Sequence, residues 1–148
     1  MKKLKKIVAV SLAGMMLLTG CGASFDVSSS ALETYADEQS GVYADVTDNY
    51  SEYDYVEGVY VAETDGAHVE LWDFNNAEYA GGWFTNNVES TKTMAASHSG
   101  SSNSEGGDYS FNVDGTYYRI LFSGDKGIYA YGTKENVNQA LSSMGIVK

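Results

Sequence analysis

Two histidines and one thiol are the only side chains of their kind in the 148 residues. His68 stands five residues after Glu63 and two before Glu70, and on a hairpin those three groups share one face. An imidazole and two carboxylates supply donor types that zinc accepts, and a metal-bound water would then serve hydrolysis. The HxH and HExxH spacings are missing, so a cross-strand His–Glu contact on a solvated face is the simpler expectation. His98 lies between Ser97 and Ser99 in a Gly/Ser-rich stretch. Nucleophile and base are joined by rigid placement in space, however, and adjacency in sequence does not provide it. Asp73, Asn75, Asn76 and Glu78 offer oxygens at short spacing, but an EF-hand's sixth-position glycine and closing glutamate are lacking. Turn and cap roles suit them better. Trp72, Trp83 and Tyr117 are large aromatics expected off the core rows, and they define a candidate ligand or partner patch. No catalytic residue and no cofactor is assigned.

The elements that position these residues are mostly strands. Asp65-Gly66 joins the runs 58–63 and 68–74 as a tight hairpin. Its register sets Ala62 opposite Val69 and Tyr60 opposite Leu71 on one face, with Glu63 opposite His68, Val61 opposite Glu70 and Val59 opposite Trp72 on the other. Tyr79 to Thr85 reads as a third strand with a bulge at Gly81-Gly82, and Thr91 to Ala96 as a fourth. Ser97 to Gly107 reads as a flexible loop by composition. Asp114-Gly115 closes a second hairpin, pairing Phe111 with Tyr118, Tyr109 with Ile120, Ser110 with Arg119 and Asn112 with Tyr117. A turn over Gly124-Asp125-Lys126-Gly127 then pairs Phe122 with Tyr129 and Ile120 with Tyr131. Val137, Ala140, Leu141 and Met144 fall at i, i+3, i+4 and i+7, which predicts a helix over 134–144. Thr133 is its N-cap, and Gly145 with Ile146 closes it. The expected fold is α+β, mainly antiparallel β: a five to seven strand meander or small open barrel with one C-terminal helix.

Charge narrows the partners. The net charge is −11 and no Lys or Arg occurs between Lys6 and Lys92. A chain this acidic repels phosphate backbones, so nucleic acid is excluded as a partner. Residues 21–55 are rich in Ser, Asp, Glu and Tyr with few aliphatics, and read as an acidic tether. At about 30 residues such a tether spans roughly 30 Å. Within it, Ser30 to Glu33 fits a capping box for a short helix ending near Asp37. Residues 56–148 form the expected β-rich domain.

The amino terminus carries the most specific pattern. Lys2, Lys3, Lys5 and Lys6 precede an apolar run from Ile7 to Leu18, and Leu18-Thr19-Gly20-Cys21 follows. A run of about a dozen residues is too short to span a bilayer, which takes roughly 20. This arrangement resembles a bacterial lipoprotein signal peptide with its lipobox. The resemblance covers residues 1–21. It implies cleavage before Cys21 and a diacylglyceryl thioether on that sulfur, leaving an acyl-anchored (palmitate-type) protein on the extracytoplasmic face of the cell membrane. Cleavage removes four lysines and takes the net charge from −11 to about −15. As the only cysteine, Cys21 permits no disulfide within the chain. The run beginning Gly58-Val59-Tyr60 also resembles small lipocalin-like lipoprotein domains. The terminal Ala140-Leu141-Ser142-Ser143-Met144 resembles the end of the photosystem-P-protein-like fold. Neither implies an activity. The function expected is a membrane-tethered binding or interaction module in the cell envelope, with a protein or glycan partner. The alternatives are a small metal-dependent hydrolase using His68, and an inhibitor of a secreted enzyme.

Overall fold

The structure is a computed structural model that describes residues 24–146. Seven strands form one antiparallel sheet: β1 (Val42–Asp45), β2 (Val56–Thr64), β3 (Ala67–Phe74), β4 (Ser97–Ser102), β5 (Gly106–Val113), β6 (Thr116–Ser123) and β7 (Lys126–Gly132). Their order is β1-β2-β3-β7-β6-β5-β4. Three helices accompany them: α1 (Ser29–Glu38), α2 (Ala77–Lys92) and α3 (Lys134–Ser143). The α+β, mainly antiparallel expectation holds, as an open sheet rather than a barrel. The sheet is not a simple meander, because α2 carries the chain across to the far edge and β7 returns to pair with β3.

Side chains alternate across each strand, so both faces of the central strands need cover. On one face Ala62, Val69, Leu71, Leu121, Ile128 and Ala130 pack against Leu32, Tyr35 and Ala36 of α1 and Val137, Ala140 and Leu141 of α3. On the other, Phe74, Phe111, Ile120 and Phe122 pack against Ala80, Phe84 and Val88 of α2.

The first two hairpins carry the expected registers, residue for residue. Gly66 and Gly115 take positive φ there, at +96° and +83°, as such turns need. The third hairpin differs. Its loop is the pair Gly124-Asp125, with Ser123 opposite Lys126, so Ile120 faces Tyr129 and Tyr118 faces Tyr131. The slip from expectation is two residues, which keeps every side chain on its predicted face.

Four expectations are overturned. Tyr79 to Thr85 is not a strand but the middle of α2. The Asn76 side chain accepts from Tyr79 N and caps its start. Ala80, Phe84, Val88 and Thr91 recur every three to four residues along its buried side. Thr91 and Lys92 close that helix instead of opening a strand, and Ser97–Ser102 is an edge strand paired to β5. Residues 24–55, expected as tether, hold α1, β1 and a 3-10 turn at Thr47–Tyr50. Ser28, not Ser30, caps α1, and Leu32, Tyr35 and Ala36 are buried at i, i+3, i+4. Residues 1–21, read from sequence as resembling a signal peptide and lipobox, lie outside the described range.

α3 follows expectation. The Thr133 side chain accepts from Asn136 N, Gly145 takes φ +84°, and Ile146 N donates to Leu141 O at 2.8 Å. This is the closure a Schellman motif provides.

Candidate functional site

The α2 side of the sheet carries a row of partly exposed aromatic and acidic side chains near the β2–β3 turn. β3 presents His68, Glu70 and Trp72 on this face, and the register sets Glu63 and Tyr131 on either side of His68. The His68 ring is fixed from both nitrogens. Nδ1 bonds the Glu63 carboxylate, and Nε2 lies 2.9 Å from Glu70 Oε1. Trp72 Nε1 donates to Glu70 Oε2 at 2.8 Å. The imidazole stacks on Tyr131, with centroids 4.6 Å apart, and Tyr131 stacks on Tyr118 at 5.3 Å. Tyr129 meets both tyrosines edge-on. Tyr50, from the 3-10 turn, meets Trp72 edge-on at 4.7 Å.

Electrostatics set the protonation of this row. Burial of the His68 ring disfavours its charge, but the hydrogen bonds and charges of Glu70 and Glu63 outweigh burial and raise its pKa. Burial, then the charges of Glu63 and Glu70, raises the Tyr131 phenol. Burial likewise raises Tyr129. The phenols therefore stay neutral near pH 7, suited to stacking and hydrogen bonding rather than nucleophilic attack.

His68, Glu63 and Glu70 are brought together as the sequence predicts, but in a line. One metal ion takes one ring nitrogen of a histidine, and here each nitrogen already faces its own carboxylate. Among the described residues, no group of three or more His, Cys, Asp or Glu side chains is arranged to hold a metal ion.

The aromatic patch expected from Trp72, Trp83 and Tyr117 is divided between faces. Trp72 of β3 and Trp83 of α2 are neighbours, 5.8 Å between centroids, where the helix meets the sheet. The Trp83 ring lies so close to the sheet that a Cβ on Gly127 would come 2.5 Å from it. Tyr117 sits on the opposite face against the α1–α3 core, with Lys134 Nζ 6.0 Å from its ring centre. Tyr118, Tyr129 and Tyr131 take the place expected of Tyr117. Alternation along β6 and β7 was the signal that could have picked them out.

The remaining candidates separate. His98 is exposed on edge strand β4 beside Tyr109 and Phe111, while Ser97 and Ser99 alternate to the other face. Asp73 pairs with Lys126 at 3.0 Å, and Asn76 caps α2, so neither serves a calcium loop. A polar centre missed from sequence lies under α3. Buried Arg119 donates from Nε and Nη2 to the two Asp108 oxygens and from Nη1 to Asn138 Oδ1.

No family model matches the chain, and no curated protein matches it. Among solved structures, a GTP binding regulator from Thermotoga maritima is similar at a TM-score of 0.48 and 15% identity. The match covers 79% of this chain and 84% of that one.

Proposed function

We propose that this chain is a lipoprotein, anchored at Cys21 on the extracytoplasmic face of the membrane, whose domain acts as a non-catalytic binding module. The anchor is supported by the order of charges, apolar run and Leu18-Thr19-Gly20-Cys21. Two acyl chains hold a protein stably at a bilayer, since each buried CH2 contributes about 0.8 kcal/mol. The binding role is supported by one observation above the rest: the His68–Tyr131–Tyr118 stack is partly exposed while both His68 nitrogens are held by the Glu63 and Glu70 carboxylates. Such a surface offers flat apolar area and fixed acceptors to a protein or glycan, and no group activated for bond cleavage.

The test is photo-crosslinking from the site in the full, membrane-inserted chain. A photoreactive phenylalanine at Tyr118 forms a discrete adduct with an envelope protein or glycan, and the same probe at Asn112 on the other face does not. Equal labelling from both positions contradicts a binding role for this row.

A further inference from the structure

We propose that the end of the sheet bearing Tyr53, Tyr55 and Tyr79 seats on the lipid headgroup surface. This rests on the anchor at Cys21 proposed above. The described residues begin at Ser24, and Phe25 N donates to Ser123 Oγ at 3.0 Å. Val27 is buried two residues on. The chain therefore leaves the fold beside the β6–β7 turn. From Ser24 back to Cys21 are three residues, which reach at most about 11 Å when extended. A lipid on Cys21 thus holds that end of the sheet against the headgroups, with no room for a long leash.

The tyrosines lie at the same end. Phe74 N donates to Asp125 O in the β6–β7 turn, and Asn75 N donates to Tyr55 O. Ser123 and Tyr55 are three strand spacings apart, about 14 Å. Tyr79, in the first turn of α2, stacks on Tyr55 with centroids 4.6 Å apart, and Tyr53 lies 5.7 Å from Tyr55. Tyr53 and Tyr79 are 42% and 45% exposed. Among the described residues, the other large exposed apolar side chains, Val42 and Met94, stand singly at the opposite end.

Tyrosine suits the headgroup layer, where its ring meets apolar chains and its hydroxyl stays wet. Exposed Asp54 and Glu78 adjoin the stacked tyrosines in sequence and exposed Asp125 lies in the β6–β7 turn at the same end, so anionic headgroups repel this end and neutral ones accept it.

Nitroxide labelling tests this on the full lipidated chain in phosphatidylcholine vesicles. The thioether consumes the sulfur of Cys21, so an introduced cysteine is the sole free thiol. Labels at Glu78→Cys, beside the stack, and Asp65→Cys, in the β2–β3 turn, are compared by collision with oxygen and with a water-soluble nickel complex. The oxygen-to-nickel ratio is several-fold higher at 78 than at 65. It falls, while staying above that at 65, in Tyr53→Ser/Tyr79→Ser, whose side chains are too exposed to hold the fold. Equal ratios at 78 and 65 on a chain shown to be lipidated overturn the seating and leave the anchor standing. A free thiol at Cys21 in the mature chain overturns both.

Discussion

Arg119 and Asp108 form a bidentate pair across β5 and β6, with Nη2 to Oδ2 at 2.7 Å and Nε to Oδ1 at 3.0 Å. Asn138 of α3 takes the remaining arm of the guanidinium at 3.1 Å. Arg119 is 2% exposed, so these partners replace the water that a charge otherwise requires. Removing one partner strands the other. Asp108→Ala leaves the buried guanidinium unpaired and is expected to lower unfolding stability by about 3–5 kcal/mol, whereas Arg119→Met leaves a carboxylate that is 27% exposed and open to water, and costs less. Urea denaturation of both variants checks the order. Equal losses would show that packing, and not the stranded charge, dominates.

His68 makes stability depend on pH. Its folded-state pKa is raised above 6.5, so the native state holds the proton more tightly than the unfolded chain. The resulting stabilisation is complete below about pH 6.5 and is lost as pH rises through the folded-state value. His68→Gln should remove that dependence. Melting temperatures of wild type and variant across this window, with a proton NMR titration of the imidazole, give the comparison. A His68 resonance titrating below 6.5 would contradict the pairing with Glu63 and Glu70.

The α2 helix depends on close approach to the sheet. Gly127 leaves room for the Trp83 ring, and Gly127→Ala forces the indole outward at a cost of about 1–3 kcal/mol. Phe84, buried against Phe122 at 4.8 Å between centroids, is expected to cost about 3–5 kcal/mol when cut to alanine. Trp fluorescence should redden in the first variant and change little in the second. Wild-type emission and melting for Gly127→Ala would show that the helix does not lie so near.

What the sequence reveals here follows from where the signal resides. Asp65-Gly66 and Asp114-Gly115 specify turns by backbone chemistry, and the alternation beside them fixes register, so both hairpins and the His68–Glu63 pairing are readable. The β6–β7 register is not, because a two-residue slip leaves all faces unchanged. α2 is obscured by Gly81-Gly82 and by Trp83-Phe84-Thr85, which favour strand locally; tertiary burial of Ala80, Phe84 and Val88 overrides that preference. β4 has almost no side-chain signal, since Ser97–Ser102 is held by backbone pairing to β5. The polar richness of 24–55 hides Leu32, Tyr35 and Ala36, which suffice to dock α1.

That docking has its own consequence. Leu32 is fully buried between α1 and the sheet, and Leu32→Ala is expected to cost about 2–5 kcal/mol. A chain beginning at Val56 lacks α1 and β1, and should be degraded by limited proteolysis far faster than one beginning at Gly22. Equal resistance would restore the reading of 24–55 as a mere leash.

The anchor at residue 21 is tested most directly by mass spectrometry of the amino-terminal peptide from the membrane-bound protein. The account predicts a peptide that begins at Cys21 and carries a thioether-linked diacylglyceryl group. A peptide that begins at Met1, with an unmodified thiol, would contradict it.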